Sequence, residues 1–189
     1  MDANNGSGLQ FSNADGTYAF SGTTNLHGGD AGIDAVDYSE RASGQPVTVS
    51  LDGSVNDGAS GEADNIGSDF EAINGGAGAD TVWGNAGNDR LHGGDGPDIV
   101  RGRSGDDDVF GGEGNDAITG NSSDNQFSGE DGDDTLAGGA GNDRIDGGAG
   151  RDTLDAGPGD DRLLARDKQA DIVLCGPGRD SAQSEVLDT

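Results

Sequence analysis

Residues 75–164 read GGAGADTVW, GNAGNDRLH, GGDGPDIVR, GRSGDDDVF, GGEGNDAIT, GNSSDNQFS, GEDGDDTLA, GGAGNDRID, GGAGRDTLD and AGPGDDRLL, ten consecutive nine-residue frames with no insertion or deletion. Glycine fills frame position 1 in nine of the ten, Ala156 being the exception, and position 4 in nine, Ser123 being the exception. Aspartate fills position 6 in nine, with Asn125 as the exception. Position 8 is apolar throughout: Val82, Leu91, Val100, Val109, Ile118, Phe127, Leu136, Ile145, Leu154 and Leu163. A repeat this regular specifies a solenoid, because a short unit with one apolar residue can bury it only by stacking on copies of itself.

The local chemistry shapes each frame. Glycines at positions 1 and 4 open backbone conformations closed to other residues, so positions 1 to 6 are expected to form a tight turn. Positions 7 to 9 then form a short strand whose middle residue points inward and whose flanking residues point outward. Two turns and two strands close one coil of eighteen residues, so the ten frames make five coils. The expected fold is all-β: a parallel β-roll, a right-handed β-solenoid with two nonapeptides per coil and an N-terminal β cap.

At these residues the chain resembles the RTX, or haemolysin-type, calcium-binding nonapeptide repeats of secreted bacterial proteins. The resemblance implies several Ca2+ ions as cofactors, held by the GGxGxD turns, and an extracellular location. The chemistry agrees, since calcium takes six to eight oxygens, typically carboxylates and carbonyls. One turn ends in a single carboxylate and cannot surround an ion. The turn two frames on lies about 4.8 Å away along the stack, so two turns can clamp an ion between them.

This geometry sorts the carboxylates into two rows. Odd frames contribute Asp80, Asp98, Asp116, Asp134 and Asp152, an unbroken row. Even frames contribute Asp89, Asp107, Asn125, Asp143 and Asp161, with Asn125 interrupting. The turn glycines expected to complete the sites are Gly75, Gly78, Gly84, Gly87, Gly93, Gly96, Gly102, Gly105, Gly111, Gly114, Gly129, Gly132, Gly138, Gly141, Gly147, Gly150 and Gly159. Asn125 offers an uncharged amide oxygen, so the even row is expected to bind more weakly at its centre, where Ser123 also disturbs the turn. Asp34, Asp171 and Asp180 are weaker candidates in degenerate frames. Counting intact neighbouring pairs gives about six well-formed sites and two doubtful ones.

Composition sets the energetics. Of the 189 residues 30% are apolar and 4% aromatic, and the net charge is −27, values typical of a chain that does not fold unaided. The apolar residue in every ninth place argues against disorder as the final state, but the metal-free chain is expected to be unfolded. Six calcium ions would offset about 12 of the 27 negative charges, and calcium binding is therefore expected to drive folding. Affinity of about 10⁻⁴ to 10⁻³ M, usual for extracellular modules, would leave the chain unfolded inside a cell and folded outside it. Such acidity disfavours nucleic acid and anionic membrane surfaces unless calcium bridges the two. No apolar run approaches the ~20 residues of a membrane-spanning helix. The start, MDANNGSGLQ, lacks the pattern of a cleaved secretory signal, so either a leader is missing or export takes another route. One cysteine, Cys175, permits no internal disulfide.

The flanks are less regular. Residues 1–27 form a polar leader, or a hairpin in which Leu9 to Phe11 and Thr17 to Phe20 flank Asp15-Gly16. Residues 28–74 read as a degenerate repeat, with Asp34 and Val36 at the carboxylate and apolar positions, followed by a cap. Within it Pro46 to Leu51 alternates as a strand, and Ile66 to Asn74 already follows the repeat's phase, Ile73 lying nine residues before Val82. Residues 165–189 hold degenerate C-terminal frames in which Asp171 and Val173, then Asp180 and Ala182, take the repeat's roles.

Trp83 and Arg101 occupy position 9 one coil apart, as do His92 and Phe110, placing aromatic and basic groups together near the N-terminal end. A cation over Trp83, a partner patch and packing beneath the cap are the readings of this cluster. His27 and His92 are too isolated to suggest a transition-metal site. With two histidines and neither HExxH nor GxSxG, the chain carries no catalytic constellation and is expected not to be an enzyme. The expected function is a structural or export module that binds calcium and folds outside the cell. The alternatives are the repeat portion of a secreted lipase, protease or epimerase, and a calcium-dependent adhesin or surface-layer element. The sequence identifies no cell-surface or polysaccharide partner.

Overall fold

The fold was obtained as a computed structural model, which describes residues 25–26, 33–39, 45–59 and 64–184. All regular elements among them are strands, in two sheets of ten and eight. Strands from odd frames, such as Thr81–Trp83, Ile99–Arg101 and Ala117–Asn121, build one sheet, and strands from even frames, such as Arg90–Asp95 and Asp108–Glu113, build the other. Each pairs in parallel with the strand one coil away: Val82 lies beside Val100, Leu91 beside Val109 and Ile118 beside Leu136. This eighteen-residue offset is two frames, and it makes the molecule a parallel β-solenoid of the expected β-roll type.

The register puts every position 8 side chain into one interior. Val82, Leu91, Val100, Val109, Leu136, Ile145, Leu154 and Leu163 are fully buried, and Ile118 and Phe127 are 1% exposed. Phe127 is the one aromatic residue of this ladder; its ring reaches Gly120, where an added Cβ would stand 2.6 Å from the ring's Cζ. Stacked apolar side chains at about 2 kcal/mol each are the main attraction available to a chain with so few aromatics.

The strands exceed the expected three residues. Arg90–Asp95, Asp108–Glu113 and Gln126–Asp131 each run six residues, from position 7 through position 3 of the next frame, because Gly94 and Asp95 continue the ladder onto Gly112 and Glu113. The turn is correspondingly shorter. Glycine is also used differently from the expectation. The left-handed glycines fall at positions 2 and 4, for instance Gly94 at φ 119° and Gly96 at φ 115°. Position 1 glycines do not take that conformation; at them an added Cβ would crowd neighbouring oxygens, although Ala156 is accommodated at the same position of the tenth frame.

The ends depart from the repeat as their sequences do. Val47–Ser50 lies parallel to Thr81–Trp83 and antiparallel to Val55–Ala59, which pairs in turn with Asp64–Ile66, so the N-terminal end is closed by a small mixed sheet. Leu51, Ile66, Phe70 and Tyr38 are buried over the first coils. Asn25–Leu26 adds a short parallel strand beside Asp64–Ile66. The expected hairpin around Asp15-Gly16 and His27 lie outside the described residues. At the C-terminal end one inserted residue widens the offset to nineteen, Leu154 pairing with Val173 and Leu163 with Ala182. Val173 is only partly buried and Ala182 is exposed, so the apolar stack fades there.

Candidate metal centre

Each position 6 aspartate directly precedes a strand and turns its side chain into the loop. Asp80, Asp98 and Asp134 are 1% exposed, and Asp107, Asp116, Asp143, Asp152 and Asp161 are 2% exposed. One carboxylate oxygen has a structural task. The N–H of Asp80 donates to Asp98 Oδ1 at 2.7 Å, that of Asp98 to Asp116 Oδ1 at 2.8 Å, and that of Asp116 to Asp134 Oδ1 at 2.8 Å. In the even row the N–H of Asp89 donates to Asp107 Oδ1 and that of Asp143 to Asp161 Oδ1. The candidates in the degenerate frames take the same place: Asp152 N–H donates to Asp171 Oδ1 and Asp161 N–H to Asp180 Oδ1.

The other oxygen is left over. Oδ2 of Asp98, Asp116, Asp134, Asp143, Asp152 and Asp161, and Oδ1 of Asp89, are buried without a hydrogen-bond partner. Burial of a carboxylate oxygen without a donor or cation is costly. Burial, with the carboxylates of Asp80 and Asp116 adding to it, pushes Asp98 up to about 7, and burial likewise pushes Asp89 to about 7. Burial also raises Asp107, Asp116, Asp134, Asp143 and Asp152 to about 6.

Backbone oxygens converge on the same spaces. At Gly93 an added Cβ would collide with Asp98 Oδ2 and lie 2.6 Å from the carbonyl oxygen of Gly111 in the next coil. The same pair of oxygens, one carboxylate and one carbonyl, surrounds Gly75, Gly111, Gly129 and Gly138. Gly84 and Gly102 crowd the carboxylates of Asp89 and Asp107 likewise, and Gly147 that of Asp152. Position 4 carbonyls run along the stack: Gly78 O faces Gly96, Gly87 O faces Gly105, Gly96 O faces Gly114, Gly114 O faces Gly132, Gly132 O faces Gly150 and Gly141 O faces Gly159. Ser123 O faces Gly141 in the same way, so serine at position 4 keeps this carbonyl in place, contrary to the expected disturbance of the turn.

Among the described residues no three His, Cys, Asp or Glu side chains group to hold a metal. The two-row architecture explains this, since each gap between coils receives at most two position 6 carboxylates and must draw its remaining oxygens from carbonyls. Such a donor set suits a hard, oxygen-seeking cation and offers nothing to metals that want thiolate or imidazole. The partnerless buried carboxylate oxygens, their raised protonation range and the carbonyls beside them fit calcium.

Other features extend or correct the sequence reading. Asp34 is buried and its N–H donates to Glu71 Oε2 at 3.0 Å, so Glu71 continues the even row in the frame 66–74. The phase of that frame could have revealed Glu71, but glutamate masks the pattern. A second ladder runs through position 5, where Asn88 accepts from the N–H of Asp106, Asp106 from Asp124, Asp124 from Asn142 and Asn142 from Asp160. Asn115, Asp133 and Arg151 repeat it on the other side. The recurrence of Asn and Asp at position 5 was the available signal.

Arg101 lies beside Trp83 in register, but the guanidinium over the Trp83 ring belongs to Arg103, 5.4 Å from its centre. Arg103 stands at position 2 with φ 71° and also approaches Asp52 of the cap at 3.6 Å, tying the first coils to the cap. His92 stacks on Phe110 at 5.6 Å, with Arg90 also over that ring. Cys175 is free and takes position 1 in its frame.

A parallel β-roll with partnerless carboxylates aligned between its coils defines a class, the calcium-binding solenoids built of nonapeptide turns. The RTX calcium-binding nonapeptide repeat matches in four copies, at residues 66–100, 92–127, 101–136 and 128–163. These span just over half of the chain, which belongs to this family. Among curated protein sequences none matches.

Proposed function

We propose that this chain is a calcium-responsive module that is unfolded when metal-free, folds outside the cell as ions enter the gaps between coils, and serves a structural or export role without catalysis of its own. The supporting observation is the series of buried carboxylate oxygens lacking partners in successive coils. A fold that gathers such oxygens is disfavoured at neutral pH until a cation neutralises them. The odd-row aspartates, with Asp89, Asp107, Asp143 and Asp161 of the even row, hold the ions together with turn carbonyls. Low extracellular-type affinity makes folding depend on the compartment. Among the described residues no helix is long and apolar enough to cross a membrane.

The test is circular dichroism during a calcium titration, with magnesium as control. The expected result is little β signal in chelator and a cooperative gain with calcium alone, because magnesium demands a tighter octahedral cage and sheds water reluctantly. A chain fully structured in chelator would contradict the coupling of folding to calcium.

A further inference from the structure

The sixth frame, GNSSDNQFS at residues 120–128, treats its two gaps unlike any other. The Asn121 side chain enters the gap between Asp107 and Asn125. Its Nδ2 donates to Gly105 O at 2.9 Å, to Asp107 Oδ2 at 3.0 Å and to Asn125 Oδ1 at 3.2 Å. These are one turn carbonyl and the two position 6 oxygens, the kinds of oxygen that stand around the other gaps. Its Oδ1 accepts the N–H of Ser123 at 2.6 Å, which fixes the amide's direction. On the other side, Asn125 Nδ2 donates to Ser123 O at 2.7 Å and to Asp143 Oδ1 at 3.2 Å.

Resting on the calcium reading above, we propose that Asn121 and Asn125 are internal plugs, amide groups occupying the two gaps around the sixth frame so that these gaps close without calcium. Three independent features agree. Asp107 Oδ2 has a donor, where the equivalent oxygens of Asp98, Asp116, Asp134, Asp143, Asp152 and Asp161 have none. The gap carries one carboxylate instead of two, so an uncharged donor suffices. Position 2, which holds Asn121, holds glycine in the two even frames that follow, at Gly139 and Gly157, where no such amide is available. Asn85, the other position 2 asparagine, differs: its Nδ2 donates to backbone carbonyls of the preceding coil, Phe70 O at 3.1 Å and Ser68 O at 3.3 Å, and not to position 6 oxygens. The sixth frame is therefore a metal-independent staple in the middle of a metal-dependent roll.

The test compares the full chain with the Asn121→Gly/Asn125→Asp variant, which restores the repeat at both positions. Bound calcium is counted by equilibrium dialysis at saturating calcium, and folding in chelator is followed by circular dichroism while trimethylamine oxide is added. The double variant is expected to bind about two more ions than the wild type, and to need more osmolyte to fold without metal. Should it fail to fold, Asn125→Asp alone is expected to bind about one more ion. Equal ion counts, or calcium between Asp107 and Asn125 in crystals of the wild type, would overturn the plugs. A wild type that binds no calcium would instead refute the functional reading, and the osmolyte comparison would still decide the plugs: an unchanged requirement would overturn them.

Discussion

Replacing Asp116 with asparagine should move the metal-free and calcium-bound forms in opposite directions. Asp116 is 2% exposed; its Oδ1 accepts the N–H of Asp98, and its Oδ2 has no partner. Burial raises its protonation from 3.8 to about 6. At about 1.36 kcal/mol per pH unit, that difference corresponds to a ceiling of about 3 kcal/mol. Because the turn lies close to solvent, screening reduces this to about 1 to 2 kcal/mol. The sign follows from linkage: at pH 7, above both values, the metal-free fold bears the whole penalty of the bare carboxylate, and below about 3.8 it bears none. The substituted amide would carry no charge and would have the kind of partners that Asn125 finds on Ser123 O and Asp143 Oδ1. The Asp116→Asn chain should therefore fold in chelator at a lower trimethylamine oxide concentration than the wild type. In calcium the same change removes a charged oxygen from two adjacent gaps, and the midpoint of the folding titration should rise about tenfold. A metal-free fold that becomes harder to reach would refute the penalty assigned to Oδ2, and an unmoved calcium midpoint would refute its role as a ligand.

Three further outcomes follow from the same geometry. In chelator, acidification from pH 7 to about 5 should increase β structure, since carboxylates raised to about 6 or 7 become protonated in the fold before they do in the open chain; circular dichroism against pH checks this, and loss of structure on acidification would contradict it. Gly93→Ala should cost about 1 to 3 kcal/mol and weaken calcium binding, because its Cβ would collide with Asp98 Oδ2 and press on Gly111 O, whereas Gly87→Ala, which meets only Asn85 Oδ1 at 3.2 Å, should cost much less; thermal melts in calcium compare the two. Leu136→Ala, in the fully buried ladder, should cost about 2 to 5 kcal/mol in calcium-bound stability, while Ile172→Ser, at a position 58% exposed, should change it by about 0.5 kcal/mol or less; denaturant titrations at saturating calcium measure both.

The period of nine fixes which residues share a face and which recur along a row, because a solenoid reduces three dimensions to a one-dimensional count. From it alone came the parallel roll, the interior ladder from Val82 to Leu163, the two rows of carboxylates and the interruption at Asn125. The phase of Ile73 and the positions of Asp171 and Asp180 were legible in the same way. Tertiary structure alone decided what fills each gap. Asn121 looked like any turn residue in sequence, yet its amide crosses fourteen residues of chain to reach Asp107. Arg103 rather than Arg101 covers Trp83. Most position 1 glycines are favoured by want of space beside neighbouring oxygens, which no dihedral preference reveals, while Ala156 is accommodated at one such position. The physical reason is common to all three: repetition sets where backbones lie, but hydrogen bonds and collisions between coils depend on a few tenths of an ångström in side-chain placement, which appear only when the coils are stacked.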